Sequence, residues 1–481
     1  MTRAWRLIAG RKDRDTRSLP LAQPPSSAGN IGILASPPAA AMSLYPLLLP
    51  GVRQREFWSW AFYDFANSSY TTVVSTAVFN AYFVATVAAG KPWATLAWTA
   101  AVSVAAAVVM ILGPLAGAAA DARGRKKPFL AASTLACVLG TLGLMAVGPG
   151  DVALAMGFII LSSIGFGLGE GLIAAWLPLI ARPNALGRLS GYGWSLGYGG
   201  GLAALALCLG YVQGAQQRGL TAAQFVPGCM LITALFFAIA ALPSLLVLRE
   251  HNSPEAKAAR ANPSTLPLVE QAFGRLQQTW REGAHLTDLR RLLVAITGYQ
   301  AGVAVVVALA AVYAQQAMGF DTADTLKLVL AVNVTAAIGA FGFGWVQDKI
   351  GHRRALMLSL WLWLVMVLLA YFATTRPMFW VAANLAGIAM GASQSAGRAI
   401  VGYMAPPDRT AEYFGLWSLA VRLATIIGPI CYGLATWVFT GNHRLAMLGT
   451  GLFFVFGLIV VRGVDVERGR RVAMTGQNEP G

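Results

Sequence analysis

Long apolar stretches, separated by short polar or basic segments, recur along most of the chain. Twelve of them have the roughly 20 apolar residues that a helix needs to cross the hydrocarbon core of a bilayer. They are residues 57–88, 95–120, 128–148, 151–180, 187–212, 224–248, 291–317, 322–347, 355–375, 377–404, 410–439 and 442–462. The pattern predicts an all-α integral membrane protein with twelve transmembrane helices.

Two short segments indicate that the apolar stretches form a repeat. Residues 117–127 read GAAADARGRKK, and residues 344–354 read GWVQDKIGHRR. In each segment a glycine is followed by an acid four positions later, by a second glycine seven positions later, and then by basic residues. The tripeptide WSL at 194–196 recurs at 417–419. Because self-similarity at nearly one period is typical of repeated structures, the twelve helices are predicted to form two six-helix repeats.

The composition excludes an ordinary soluble protein. Hydrophobic residues make up 57% of the 481 residues, charged residues make up 12%, and the mean hydropathy is +0.60. Soluble globular proteins carry about 25% charged residues. The four cysteines lie within apolar stretches and lack metal-ligand spacing. We therefore expect no disulfide framework, no metal site and no cofactor.

Lysine and arginine residues lie mainly in the two tails and in alternate loops, on one side of the predicted bundle. The net charge is +16. By the positive-inside rule this side faces the cytoplasm, which predicts a multi-pass protein of the cytoplasmic (inner) membrane with both termini cytoplasmic. Membrane lipids are expected to surround the predicted spans. No nucleic-acid partner is expected, because the basic residues occupy short loops between the spans.

The predicted boundaries divide the chain into five parts. These are a disordered cytoplasmic tail at 1–55, an N-terminal six-helix bundle at 56–248, a cytoplasmic linker at 249–290, a C-terminal six-helix bundle at 291–462, and a cytoplasmic tail at 463–481. Met42 is an alternative translation start within the first tail. The linker contains an amphipathic stretch at 266–280, which is predicted to lie on the membrane surface.

The two repeated segments are candidates for a conformational latch. The residues concerned are Gly117, Asp121, Gly124, Arg125 and Lys126 in the first copy and Gly344, Asp348, Gly351 and Arg353 in the second. An aspartate can cap a helix start and pair with a neighbouring base, which would hold one arrangement of the bundle and release it in the other. The alternative is that the basic residues only fix the topology of the turn. The acid in both copies favours the latch.

Two acids lie within predicted spans, where a charge is costly. Asp64 and Asn67 belong to a set of polar residues in the first span that recur at three- and four-residue steps and share one helix face. Glu170 lies among glycines in the fourth span. Asp64 and Glu170 are candidates for substrate binding or proton coupling. The alternatives are an aspartate at the membrane interface for the first and a structural pair for the second.

Arg398 and Arg422 are the basic residues within predicted spans. A guanidinium offers a carboxylate two parallel hydrogen bonds, which suits an amino acid or another organic anion. Ser393 and Gln394 precede Arg398 by about one turn and are candidates to hold it or to contact substrate. The alternative for each arginine is a salt bridge to one of the intramembrane acids in the other bundle.

Twelve helices in two halves, each with the acid and the basic turn after its second helix, resemble the major facilitator superfamily of transporters. The stretch 60–70, WAFYDFANSSY, resembles the opening signature of the vacuolar amino-acid permease-like (autophagy-related permease) branch and its bacterial relatives, as do 391–395, GASQS, and 413–416, YFGL. Residues 174–176, AAW, depart from that branch, where a Tyr-Asn pair usually stands in the fourth helix. The resemblance implies a central cavity lined by the first, fourth, seventh and tenth helices.

The resemblance implies a secondary active transporter that moves a small polar metabolite, such as an amino acid or related organic anion, by alternating access. A drug or other solute efflux transporter of the same fold is the alternative within this class. An embedded enzyme would require clustered catalytic groups, and a receptor would require a sizeable soluble domain; the sequence indicates neither. We expect no enzymatic activity, a small-molecule substrate, protons as a candidate coupling ion, and a monomer.

Overall fold

The computed structural model of the chain describes residues 44–89, 91–251, 270, 274, 286–320, 322–438 and 443–475. Residues 1–43 of the predicted tail, most of the predicted linker and residues 476–481 lie outside the described residues. The amphipathic stretch predicted at 266–280 falls in this part, apart from two isolated positions.

The described part of the chain forms twelve long helices, α1 to α12, followed by a shorter helix, α13. The bounds are α1 Gln54–Val87, α2 Ala94–Ala122, α3 Lys127–Gly143, α4 Val152–Ala174, α5 Leu186–Gln217, α6 Ala222–Leu246, α7 Thr287–Met318, α8 Thr322–Ile350, α9 His352–Phe372, α10 Arg376–Met404, α11 Thr410–Val438, α12 His443–Arg462 and α13 Val466–Thr475. The twelve long helices coincide with the twelve predicted spans to within a few residues at most boundaries. The predicted all-α fold is confirmed for the described residues.

Helix α1 departs from regular α-helical geometry in its second half. It is α-helical over Gln54–Tyr70 and forms π-helical turns at Thr71–Ala77 and Phe83–Val87. The first π-helical segment reads TTVVSTA, and its β-branched side chains crowd a regular helix. Such turns are frequent at functional sites, and this one begins two turns after Asp64.

Helix α10 differs from the other long helices in its polarity. The other eleven contain windows long and apolar enough to cross a membrane by length and composition, whereas α10 does not meet that criterion. Its second half contains Gln394 and Arg398, and every residue from 395 to 402 is buried. A helix that the protein shields from lipid can keep such polar residues at membrane depth.

The long helices form an N-terminal half, α1–α6, and a C-terminal half, α7–α12. In the first half α1 packs against α5 and α6, and in the second half α7 packs against α11 and α12. The halves meet where α2 packs against α11 and where α5 packs against α8. Glycines make these approaches close: a Cβ atom on Gly415 of α11 would lie 2.7 Å from Pro114 Cα of α2.

Two segments that the sequence assigns to tails are ordered. In the predicted N-terminal tail, Leu48 forms an antiparallel bridge with Ala181, and Leu44 and Leu48 are buried. The prediction of disorder is wrong for this segment, because its leucines cover an apolar surface of the bundle. The predicted C-terminal tail contains α13, where Arg468 Nε lies 2.7 Å from the carboxylate of Asp288 at the start of α7.

Candidate functional site

The described hydrogen bonds that join the two halves lie toward one end of the bundle, the end that carries the repeated segments. They link α1 to α10, α2 to α11, α4 to α11, and α5 to both α8 and α10. Two of these contacts lie at helix ends and two involve charges deeper in the bundle. The candidate site therefore has an outer layer of two aspartate contacts and an inner layer of two ion pairs.

In the second copy of the repeat, Asp348 binds the first turn of α5. Its carboxylate accepts hydrogen bonds from the backbone amides of Gly187, at 2.9 Å, and Arg188, at 3.2 Å. The Arg188 Nε atom lies 2.6 Å from the same carboxylate. The first backbone amides of a helix lack partners within the helix and carry partial positive charge, so a carboxylate is stabilised there.

In the first copy, Asp121 makes the corresponding contact with the first turn of α11. Its carboxylate accepts a hydrogen bond from the Glu412 backbone amide at 2.8 Å and lies 2.9 Å from Lys126 Nζ. Asp121 and Lys126 are both buried. Each candidate latch acid therefore binds the start of a helix in the opposite half.

The remaining residues of the repeated segments shape the turns around these acids. Gly124 and Gly351 have positive φ values of 57° and 90°, which favour glycine. Arg125 is exposed, and Arg353 donates a hydrogen bond to the carbonyl of Val464 in its own half. Neither basic side chain contributes a described bond between the halves.

Gly117 and Gly344 allow close backbone approach beside the two acids. A Cβ atom on Gly117 would overlap the Ala411 carbonyl of α11, and one on Gly344 would lie 2.8 Å from the Gly187 carbonyl of α5. The glycine and the acid one turn later therefore contact the same helix start in each copy.

The first inner ion pair joins Arg398 of α10 to Asp64 of α1. Arg398 Nη1 lies 2.6 Å from Asp64 Oδ2, while Arg398 Nε donates to Ser190 Oγ at 3.1 Å and Nη2 donates to the Ser190 carbonyl at 2.8 Å. The guanidinium carbon lies 4.7 Å from the ring centroid of Trp60 and 5.3 Å from that of Trp194. Arg398 is 2% exposed. The protein therefore surrounds this guanidinium with acceptors and aromatic rings.

The second inner ion pair joins Arg422 of α11 to Glu170 of α4. Arg422 Nη2 lies 2.5 Å from Glu170 Oε2, and the guanidinium carbon lies 5.6 Å from the ring centroid of Phe166. The side chains are 17% and 24% exposed. Both ion pairs therefore join the two halves, and the second is more exposed than the first, whose side chains are 2% and 12% exposed.

The other candidate residues take different positions. Gln394 Oε1 accepts a hydrogen bond from Gln300 of α7 at 2.8 Å. Ser393 is fully buried and accepts a bond from Trp363 Nε1 of α9 at 3.1 Å, so the structure directs it into the C-terminal half and away from Arg398. Asn67 is 7% exposed, and its Oδ1 atom has no hydrogen-bond partner among the described residues.

Ser190 is a site residue that the sequence does not single out. It accepts a hydrogen bond from Arg398 and donates one to the carbonyl of Ser395, also in the opposite half, at 2.9 Å. A serine in an apolar helix is too common to signal such a role.

Solved structures of known transporters share this architecture. The human organic anion transporter MFSD10 (TETRAN) superimposes with a TM-score of 0.64 and 15% identity over 85% of this chain and 99% of that chain. The proton:xylose symporter XylE gives a TM-score of 0.65 and 16% identity over 85% of this chain and 94% of that chain. The fold is that of the major facilitator superfamily. The family and the relatives of the sequence make the protein a multi-pass membrane transporter of this class rather than an enzyme.

The sequence relatives define the branch more narrowly. The chain belongs to the family described as "Vacuole effluxer Atg22 like", whose profile matches residues 94–474. The uncharacterized MFS-type transporter YxiO of Bacillus subtilis (strain 168) is 25% identical over 429 residues, 88% of this chain and 97% of YxiO. Autophagy-related protein 22-1 of Aspergillus niger is 22% identical over 303 residues, 60% of this chain and 48% of that protein. The match therefore spans about half the length of this fungal relative.

Proposed function

We propose that the protein is a secondary active transporter that moves a small polar metabolite, an amino acid or a related organic anion, across the cytoplasmic membrane by alternating access. The observation that carries this proposal is the presence of two ion pairs within the helical bundle, Asp64–Arg398 and Glu170–Arg422, that join the two halves. Charged residues at membrane depth mark substrate or ion pathways. Because each pair crosses between the halves, separation of the halves must break it.

The moving parts in this proposal are the bundles at 56–248 and 291–462, joined by the linker at 249–290. The distribution of basic residues supports an orientation with both termini and both repeated segments in the cytoplasm. In that orientation the described contacts close the cytoplasmic end, and Asp121 and Asp348 stabilise this closed arrangement. Release of the two helix starts then accompanies opening toward the cytoplasm.

Protons are the coupling ion that the site chemistry favours. Asp64 and Glu170 are the acids of the inner layer, and each holds an arginine of the opposite half. Protonation of either acid would therefore weaken a bond between the halves. In proteoliposomes, Glu170→Gln or Asp64→Asn should abolish uphill uptake and leave exchange of labelled substrate, since exchange needs no net proton movement. If both variants still concentrate substrate, neither acid is the coupling site.

The substrate class is tested with purified protein in lipid nanodiscs. A ligand that binds only the folded state raises the melting temperature, so a thermal-shift screen of amino acids, organic acids, sugars and drugs identifies the chemical class. Uptake of each hit into proteoliposomes with an imposed proton gradient then tests transport. Uptake of uncharged drugs alone would contradict the proposed substrate class, and no gradient-dependent uptake of any hit would contradict secondary active transport.

A further inference from the structure

The two arginines of the inner ion pairs differ in how many of their guanidinium nitrogens have a hydrogen-bond acceptor. In the first pair, all three guanidinium nitrogens of Arg398 donate hydrogen bonds to Asp64 or Ser190. A Cβ atom on Gly193 would lie 2.7 Å from both Arg398 Nη2 and Asp64 Oδ2. The backbone of α5 therefore packs directly against this ion pair and covers one side of it, and Arg398 is only 2% exposed.

Arg422 is incompletely satisfied and partly open. Its described side-chain hydrogen bond joins Nη2 to Glu170, and its buried Nε atom has no hydrogen-bond partner among the described residues. A buried donor without an acceptor is unfavourable. The Arg422 and Glu170 side chains are 17% and 24% exposed, against 2% and 12% for Arg398 and Asp64. A small solute therefore reaches the second arginine more readily than the first.

The surroundings of Arg422 also resemble a binding site more than a packing contact. Its guanidinium lies over the ring of Phe166, which stacks on Tyr70 of α1 at a centroid distance of 5.3 Å. Residues 194–196 recur at 417–419, so Gly199 has the position in the N-terminal half that Arg422 has in the C-terminal half. A Cβ atom on Gly199 would meet no atom within 4 Å. The N-terminal half thus leaves open space where the C-terminal half places a guanidinium.

We infer that Arg422 binds the acidic group of the transported solute, and that the Asp64–Arg398 pair is a closure bond between the halves rather than a solute contact. This inference rests on the proposed transport function. It assigns solute binding to the Glu170–Arg422 pair and closure of the two halves to the Asp64–Arg398 pair. A carboxylate supplies the acceptor that Nε lacks, and it replaces Glu170 as the counter-ion of Arg422. The negative charge of Glu170 is then balanced by a basic group of the solute or neutralised by a proton.

The accessibility of the two arginines gives the first test. The parent protein in nanodiscs is treated with phenylglyoxal, a small arginine reagent, and modification at each site is followed by mass spectrometry. We expect Arg422 to react at least fivefold faster than Arg398. Acetate, glycine, acetamide and glycinamide are added as probes. At least one of the two carboxylates should slow modification of Arg422 at least twofold, while the neutral acetamide and the cationic glycinamide should not.

The closure bond is tested with spin labels at Asn184 and Arg354, exposed residues of different halves that line one cleft of about 470 Å³. The labels are introduced as cysteines in a Cys431→Ser background, because the other three cysteines are buried. Arg398→Ala should broaden the label distance distribution toward longer values. The matched change Arg422→Ala removes one hydrogen bond between the halves, against three for Arg398. It should therefore broaden the distribution less than Arg398→Ala does, and a well-defined distance also shows that this variant is folded.

Equal modification rates, protection of Arg398 instead of Arg422, or the absence of protection by either carboxylate would overturn the assignment of the solute contact. An unchanged label distance in Arg398→Ala would overturn the assignment of the closure bond. These failures are distinct from failure of the proposed function. Protection of Arg422 without uptake of any solute would indicate a binding protein that does not transport, whereas uptake without protection would leave transport intact and remove the role of Arg422.

Discussion

Asp121 and Asp348 occupy the same position in the two halves of the repeat, and each reaches the first turn of a helix in the opposite half. Their basic partners differ. Asp121 pairs with Lys126, five residues later in its own turn, whereas Asp348 pairs with Arg188, which belongs to the other half. The repeat therefore preserves the contact with the helix start and changes the origin of the positive charge.

This difference separates two functions that one motif can combine. When the halves part, the Arg188–Asp348 pair must break, whereas the Lys126–Asp121 pair can travel with the N-terminal half. Lys126 and Asp121 are also more buried: their side chains are 4% and 0% exposed, against 22% and 6% for Arg188 and Asp348. We therefore expect the C-terminal copy to depend on its ion pair mainly for closure, and the N-terminal copy to depend on its pair mainly for stability.

Removing both acids should have the largest effect on closure. A hydrogen bond to a charged group contributes about 1.5–3 kcal/mol, so the Asp121→Asn, Asp348→Asn double variant should shift the balance between closed and open states by about 3 kcal/mol or more. That corresponds to roughly a hundredfold change in their ratio. Spin labels at Asn184 and Arg354 measure the shift. Unchanged distances together with full transport would mean that the repeated segments only fix topology.

Exchanging the two bases for a neutral residue of similar length should separate stability from closure. Lys126→Met removes one basic partner of the buried Asp121 carboxylate. Loss of one partner of a buried ion pair costs about 3 kcal/mol, which a lower melting temperature in nanodiscs would report. Arg188→Met should cost about 1 kcal/mol or less in the same measurement, since this pair is partly exposed. It should nevertheless lengthen the Asn184–Arg354 label distance, whereas Lys126→Met should not. The opposite pattern would assign closure to the N-terminal copy.

The sequence predicts the helices well because the membrane imposes a simple rule on them. Apolar length alone gives α2 as 95–120, and the structure gives Ala94–Ala122. Apolar length does not predict helix α13, since it lies beyond the last apolar stretch and its few apolar residues are interspersed with charged residues. It does not predict the ordered segment around Leu48 either, because the partner of Leu48, Ala181, is far away in the sequence.

The site is predictable as a set of charges but not as a set of bonds. Two acids and two arginines at membrane depth require partners, because an unpaired charge there is costly. Which arginine meets which acid depends on the rotation and depth of four helices, and the sequence fixes neither. The difference in burial between Arg398 and Arg422 likewise arises from neighbours such as Ser190 and Gly193, which no local pattern connects to them.

The smallest expected effect concerns the two glycines that turn the chain after each acid. Gly124 has a φ of 57°, within the left-handed region that asparagine tolerates, whereas Gly351 has φ 90° and ψ 155°, a combination that is almost exclusive to glycine. Gly351→Asn should therefore lower stability by about 1–3 kcal/mol, and Gly124→Asn should change it by less than about 1 kcal/mol. Melting temperatures of the two variants in nanodiscs provide the comparison. Equal losses would mean that side-chain crowding, rather than backbone conformation, limits both turns.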